Sequence, residues 1–207
     1  SVPDKSAGPD KLTAPWIMHR INMLSAGKPV VFVTDVGQHQ MWAAQHLKIE
    51  SPRTWLTSGG LGAMGFGLPA ALGAQAGLPD KRVVLIAGDG GFKMTGNELY
   101  TIAAYDLPVI SVIINNKCLG MIRQLQHVFF NKRLSSCMLP HEMDFALYAG
   151  SFGVHGVAVN SQQEFTQAFD KALSSDRATV IVANIEADEF VKPMIPPGAT
   201  LVDYVDM

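Results

Sequence analysis

Residues 82–116 read RVVLIAGDGGFKMTGNELYTIAAYDLPVISVIINN, and this stretch decides the fold. It opens on the apolar run Arg82-Val-Val-Leu-Ile-Ala87 and breaks at Gly88-Asp89-Gly90-Gly91. A helical stretch from Met94 to Tyr105 follows, and the segment closes on Val109-Ile-Ser-Val-Ile-Ile114 before Asn115-Asn116. Both apolar runs are continuous rather than alternating, as strands of a parallel sheet covered on both faces must be. Strand, turn, helix and second strand make one βαβ unit.

Outward from this unit the same alternation continues. Thr13 is an N-cap with Pro15 in the first turn, opening a helix that Gly27 closes. Val30-Val-Phe-Val-Thr-Asp35 reads as a buried strand, Gln40 to Leu47 as a helix, and the Ala- and Leu-rich run Gly65 to Gly77 as a helix with a glycine stop. Beyond the central unit, helices are expected over Leu119–Phe130, Asp144–Gly150 and Gln162–Leu173, and strands over Val154–Val159 and Thr179–Ile185. Such a chain is a doubly wound α/β domain. The domain is expected over residues 13–190, after a linker or appended segment at 1–12. The proline-rich residues 191–207 form a tail that cannot be helical and is expected to lie extended over the surface.

Composition narrows the function classes. Apolar residues make up 48% of the 207 and charged residues 16%, against about 25% charged in an average soluble domain. Sixteen Lys and Arg against eighteen Asp and Glu leave a net charge of −2. No basic excess exists to grip nucleic acid by its phosphates. Two cysteines, Cys118 and Cys137, are too few for a disulfide scaffold and fit a reducing compartment. The longest apolar stretch, Leu107 to Ile114, falls far short of the roughly 18 residues of a membrane span. The chain lacks an initiator Met and is expected to be a piece of a longer protein.

Ligands of open parallel sheets bind at the carboxyl ends of the strands, and the polar punctuation of this sequence sits there. Asp35-Val-Gly-Gln-His39 follows one strand, Gly88-Asp-Gly-Gly91 another and Asn115-Asn116-Lys-Cys118 a third. Asp and Gly after an apolar run are also ordinary turn chemistry. The spacing adds information: 24 residues, Gly91 to Ile114, separate Gly88-Asp89-Gly90 from Asn115-Asn116. That is one βαβ crossover, so Asp89 and Asn116 are expected at the ends of neighbouring strands. A carboxylate and an amide oxygen are hard ligands suited to Mg²⁺. Gly90 and Gly91 let backbone N–H groups approach an anion, and the helix behind them offers its positive end. The local chemistry suggests a metal-bound diphosphate.

Gly-Asp-Gly followed some two dozen residues later by Asn-Asn is the fingerprint of thiamine-diphosphate enzymes. Longer blocks resemble one branch of them: Thr34-Asp-Val-Gly-Gln-His-Gln-Met-Trp42, Ser58-Gly-Gly-Leu-Gly-Ala-Met-Gly-Phe-Gly-Leu-Pro-Ala70, Leu119-Gly-Met-Ile-Arg-Gln124 and Pro193-Met-Ile-Pro-Pro-Gly198. These resemble the C-terminal, diphosphate-binding domain of the catalytic subunit of acetolactate synthase (acetohydroxyacid synthase), from about Lys28 to Thr200. The resemblance implies a mostly parallel, six-stranded thiamine-diphosphate-binding fold with helices on both faces. By similarity, Asp89, the side chain of Asn116 and the backbone carbonyl of Cys118 bind Mg²⁺. Gly37, Gln38 and His39 lie where the family contacts the diphosphate, and Gly88, Gly90 and Gly91 flank the metal ligand. Gly62 and Met64 match the loop over the aminopyrimidine and thiazolium, Met64 as the wedge that bends the cofactor. Leu119, Gly120 and Met121 match the segment facing the substrate entrance.

The implied activity joins pyruvate to a second 2-oxoacid with loss of CO₂, in branched-chain amino acid biosynthesis. The glutamate that activates the cofactor belongs to the N-terminal domain of another subunit in this family, and no Glu here matches it, so no catalytic acid or base is carried over. FAD is bound in the family by a domain that this chain does not match. The resemblance further implies a homodimer or homotetramer, a regulatory subunit as a further partner, no nucleic acid or membrane, and a bacterial cytoplasmic setting ahead of plastid or mitochondrion. The isolated chain is expected to be catalytically silent and prone to self-association through exposed Trp42, Met64, Met121 and Phe129. Leu125 departs from the family, which usually carries Trp there, and so does the pair Gly91 and Lys93. Other readings are a different thiamine-diphosphate decarboxylase or carboligase, and a non-catalytic Mg–diphosphate assembly module.

Overall fold

The computed structural model describes residues 10–195, 198–200 and 202–204. Six strands, β1 (Val30–Thr34), β2 (Trp55–Thr57), β3 (Arg82–Gly88), β4 (Ile110–Asn115), β5 (His155–Val159) and β6 (Thr179–Asn184), form one sheet. Their spatial order is β2-β1-β3-β4-β6-β5, and every pairing is parallel. The helices are α1 (Ala14–Ser25), α2 (Gln38–His46), α3 (Gly67–Gly77), α4 (Asp89–Thr95), α5 (Leu99–Ala104), α6 (Gly120–Phe129), α7 (Phe145–Ser151) and α8 (Gln162–Leu173).

Successive residues of a strand point to opposite faces, and both faces here are apolar. Val30, Phe32, Val84, Ile86, Ile110, Val112 and Ile181 pack on one side against Ile17, Ile21, Trp42, Phe165 and Phe169 of α1, α2 and α8. Val31, Val33, Val83, Leu85, Ile113, Val180 and Val182 pack on the other against Leu68, Phe92, Leu99, Ile102 and Phe145 of α3, α4, α5 and α7. The fold is therefore an α/β doubly wound sheet, as the sequence implies, and wholly parallel. Thr13 caps α1 by accepting from the Trp16 N–H, and Ser161 and Glu164 close a capping box on α8.

Some expected elements differ. Helix α2 begins at Gln38, two residues ahead of the expected start. Strand β2 lies outside the sequence reading because three residues carry no period; its pairing with β1, Phe32 opposite Trp55, holds it. The helix expected from Met94 begins at Asp89 and breaks into a 3₁₀ turn at Gly96–Glu98. The break coincides with tertiary packing, since a Cβ on Gly96 would stand 2.8 Å from the Tyr148 ring. Trp42, expected on an exposed face, is instead fully buried beneath α1, while Met64 and Phe129 are each 38% exposed. Lys11 and Leu12 join the folded unit, Lys11 through a bridge to Ser161 and Leu12 through burial in the core.

The sheet topology fixes where a ligand can sit. The chain moves outward from β1 to β2 and then crosses back to β3, so β1 and β3 are neighbours with connections that diverge. Crevices open at the carboxyl ends of strands at such a reversal. Helix α6 and residues 186–194 lie across this end. Among the residues of α6 only Gln124, a polar residue, is buried.

Candidate functional site

Around the carboxyl ends of β1, β3 and β4 lies a cavity of about 220 Å³. Gly37, Gln38 and His39 line it from the start of α2, and Gly62 and Met64 from the loop between β2 and α3. Gly88, Asp89, Gly90 and Gly91 contribute the β3–α4 junction, and Asn116, Cys118, Leu119, Gly120 and Met121 the β4–α6 segment. The structure thus brings all fourteen sequence-selected residues to one cavity, and adds Val36, Trp42, Ile114 and Ile122. Sites that enclose a whole small ligand run to about 300–1,000 Å³. This cavity is smaller, so it would grip one end of such a ligand and leave the other end beyond its rim.

Asp89 is the first residue of α4 and is buried. Its Oδ1 accepts from the Gly90 N–H at 2.8 Å, while Oδ2 has no hydrogen-bond partner. Burial raises its pKa from 3.8 to about 6, partly offset by the Gly90 and Lys117 N–H groups and the Lys93 charge. Across the cleft, Asn116 Oδ1 accepts from the Cys118 N–H at 3.3 Å, closing a tight turn over Lys117, whose φ is +59°. Cys118 is buried, and burial, followed by the Asp89 charge, pushes its thiol up to about 12. Among the described residues no group of three or more His, Cys, Asp or Glu side chains could hold a metal ion, and the oxygen that this residue offers is its backbone carbonyl. A carboxylate, an amide oxygen and a carbonyl form a hard donor set that fits Mg²⁺.

His39 is buried on α2, with Gly88 and Gly37 against its ring. A Cβ on Gly88 would come within 2.8 Å of Nδ1, and one on Gly37 within 3.1 Å of Cε1. Gly37 also has φ +148°, a conformation costly for other residues. Burial lowers the His39 pKa to about 4, against the Asp35 charge and a hydrogen bond to the Asp35 backbone. The ring is neutral at pH 7, and its Nε2 is buried without a partner. Of the three such side-chain atoms among the described residues, His39 Nε2 and Asp89 Oδ2 belong to residues lining this cavity, and Ser25 Oγ does not.

Two site residues escaped the sequence reading. Buried Asp35, noted only as a strand end, binds three backbone N–H groups. Its Oδ1 accepts from Val36 at 2.8 Å and Gly65 at 3.2 Å, and its Oδ2 from Gly67 at 2.7 Å. It therefore pins the loop that carries Met64 to the end of β1. Gln124, seen only inside a block that carries the family resemblance, pairs with Gln38. The Gln38 side chain is turned toward Asn116, Gln124 and Glu189, so contact with an anion falls to its backbone N–H at the α2 N-terminus. Leu125 lies in a separate open groove with Phe130 and Leu134, which shares Ile122 with the cavity.

Residues 35–183 match the sequence family described as thiamine pyrophosphate enzyme, C-terminal TPP binding domain. The chain is 44% identical over 193 residues to the acetolactate synthase isozyme 2 large subunit of Escherichia coli K12, covering 92% of this chain and 35% of that protein. It is 48% identical over 178 residues to the acetolactate synthase large subunit of Parasynechococcus marenigrum, covering 86% and 29%. Among solved structures, the thiamine diphosphate-dependent 4-hydroxybenzoylformate decarboxylase of Rhodococcus jostii RHA1 superimposes with a TM-score of 0.79 at 27% identity, covering 86% of this chain and 33% of that one. The chain spans about a third of the length of the relatives it matches. Among the described residues no helix is long and apolar enough to cross a membrane.

Proposed function

The chain belongs to the thiamine pyrophosphate enzyme family as its C-terminal TPP-binding domain, and from that premise we propose that it forms the Mg²⁺–diphosphate half of an acetolactate synthase active site. The observation that carries the reading is the pair of orphaned buried atoms, Asp89 Oδ2 and His39 Nε2, at one cavity. Buried polar groups are nearly always paired, so two exceptions at one place argue for a ligand that completes them. Asp89 Oδ2, Asn116 Oδ1 and the Cys118 carbonyl would hold Mg²⁺. The backbone N–H groups of Gln38, Gly90 and Gly91 would face the diphosphate oxygens, and His39, whose other ring nitrogen already serves the Asp35 backbone, would donate to them from Nε2 on taking up a proton as the anion binds.

When bound, thiamine diphosphate supplies a carbanion at its thiazolium ring and an electron sink for decarboxylation. The chain's own residues anchor, orient and exclude water. Met64, half-exposed at the rim with its Cε 3.5 Å from where a Gly90 Cβ would stand, would support the bend of the cofactor. Asp35 holds that support in place. Leu119, Gly120 and Met121 would border the 2-oxoacid substrate. The wall around the aminopyrimidine, with the activating glutamate, would come from another subunit, and FAD from a further domain of the parent protein. A dimeric or tetrameric parent acting on pyruvate and a second 2-oxoacid in the cytoplasm completes the proposal. The likeness to a 4-hydroxybenzoylformate decarboxylase supports a second reading, decarboxylation without ligation, but its 27% identity is well below the 44–48% of the synthase relatives.

Calorimetry of Mg²⁺–thiamine diphosphate binding tests the site. Asp89→Ala is expected to abolish Mg²⁺-dependent binding. Asn116→Ala should cost nearly as much, and the double substitution little more, because the two act on one ion. Unchanged affinity in Asp89→Ala would remove the assignment.

A further inference from the structure

The amide of Asn116 is useful to a cation only with its oxygen inward; turned by 180°, it would present an NH₂ group. Several buried contacts bear on which way it faces. Asn116 Oδ1 accepts from the Cys118 N–H at 3.3 Å, and its Nδ2 donates to Gln38 Oε1 at 3.1 Å. Gln38 must therefore present its oxygen to Asn116 and its Nε2 outward, where it donates to Gln124 Oε1 at 2.7 Å and to the Glu189 carbonyl at 3.2 Å. Gln124 in turn pairs twice with the backbone of residue 191. Its Nε2 donates to the Val191 carbonyl at 2.9 Å and its Oε1 accepts from the Val191 N–H at 3.0 Å.

Side-chain amides can exchange O and N by rotation, but a backbone N–H and C=O cannot. Reading from the backbone inward removes the ambiguity at each step. Val191 admits one orientation of Gln124, Gln124 with the Glu189 carbonyl admits one of Gln38, and Gln38 together with the Cys118 N–H admits one of Asn116. All three side chains are buried, so a reversed member would leave donors facing donors in a low dielectric. The strap that supplies Val191 is itself anchored. Glu189 Oε1 accepts from the Ala14 N–H at 2.7 Å, Val191 and Met194 are buried, and the Pro193 carbonyl accepts from Gln45 Nε2 at 3.2 Å. Gly120 leaves the passage open: a Cβ there would overlap Gln38 Oε1 and stand 2.6 Å from Asn116 Nδ2.

We propose that Gln124 is a positioning residue for the cation site: with Gln38 it transmits the fixed polarity of the strap backbone at Val191 to the Asn116 NH₂ group, and so joins the Cys118 N–H in holding the Asn116 oxygen toward the metal. This rests on the Mg²⁺–diphosphate reading of the cavity and extends it to a residue that does not line it. It also explains why the one buried residue of α6 is a glutamine.

The test titrates Mg²⁺ into the 207-residue chain in the presence of thiamine diphosphate, against a protein-free blank of the same solution, and records the side-chain amide correlations of Asn116 by NMR in the ligand-free protein. Gln124→Met keeps length and removes both polar groups. It is expected to weaken Mg²⁺ about 10–100-fold, the usual cost of losing a residue that orients a metal ligand. The Asn116 NH₂ protons should lose their protection from exchange and their contact with Gln38 in the same variant. Gln124→Glu keeps the acceptor toward Gln38 and the Val191 N–H but sets an oxygen against the Val191 carbonyl, and is expected to retain more Mg²⁺ affinity than Gln124→Met. A merely structural role would lower the melting temperature of Gln124→Met and leave its Mg²⁺ affinity unchanged, which overturns the relay alone. Absence of Mg²⁺ binding in the unsubstituted chain overturns the site reading and the relay with it. The ligand-free spectrum needs no variant: Asn116 NH₂ protons in fast exchange and without contact to Gln38 would also overturn the relay.

Discussion

In the cation-free protein, Asp89→Asn should stabilise the fold at alkaline pH. The folded pKa of Asp89 is about 6 against 3.8 unfolded. A raised acid favours the folded state while protonated in both states, and this advantage is lost as pH rises through the folded value. Above pH 6 the folded chain therefore bears the full cost of an ionised, buried carboxylate. Two units at about 1.36 kcal/mol each amount to about 3 kcal/mol at pH 8. The same relation makes this cost smaller at pH 5 and nearly absent at pH 4.

Asparagine matches the shape of the carboxylate and keeps the oxygen that accepts from Gly90, but it introduces two amide protons, one of them facing the partnerless position. An unsatisfied donor costs about 1 kcal/mol or more, so the net gain at pH 8 is about 2 kcal/mol. For a domain of this size that corresponds to a melting point about 4–8 °C higher. Urea unfolding in chelator at pH 8 and at pH 4.5 would measure it, with the gain shrinking at the lower pH. Adding Mg²⁺ and thiamine diphosphate should then stabilise the unsubstituted protein and leave Asp89→Asn unmoved. If Asp89→Asn is neutral or destabilising at pH 8 without metal, the idea that Asp89 is held in a costly state for a missing cation is wrong.

The other predictions concern the walls of the same cavity. His39 has its folded pKa lowered to about 4, so its contribution is complete above pH 6.5 and lost as pH falls toward 4, about 2 kcal/mol by pH 5. His39→Gln should flatten the acid limb of stability by that amount in urea titrations at pH 7 and pH 5. Gly120→Ala should cost roughly 1–3 kcal/mol in unfolding free energy and weaken Mg²⁺ as well, because its methyl group has no room beside Gln38; a variant of unchanged stability contradicts the packing. Leu125→Trp in the parent enzyme should shift the product ratio between competing 2-oxoacid acceptors by an amount worth about 1–3 kcal/mol, and an unaltered ratio would show that the groove around Leu125 does not reach the substrate. The isolated chain should form no acetolactate from pyruvate in a colorimetric assay, and steady turnover would require a base within these 207 residues.

What the sequence made legible and what it did not follow from the physics of each signal. A strand buried on both faces writes itself as a continuous apolar run, and β1, β3, β4 and β6 are such runs. β2 is three residues paired with β1 and carries no signature of its own. The polar residues at strand ends were legible as candidates because parallel sheets confine ligand chemistry to that edge, and the interval from Asp89 to Asn116 equals one crossover. The roles of Asp35 and Gln124 were invisible for a shared reason. Each acts through hydrogen bonds to residues distant in the chain, Asp35 on Gly65 and Gly67 and Gln124 on Val191, and no local pattern encodes such a bond. Gln124 still left one trace. An otherwise amphipathic helix whose buried position holds an amide contradicts its own pattern, and a contradiction of that kind signals a polar partner elsewhere in the fold. The partner here is the strap at 189–194, which closes the chain of amides that begins at Asn116. A tail that reads as an extended surface segment thus contributes the backbone groups against which the candidate metal ligand is oriented.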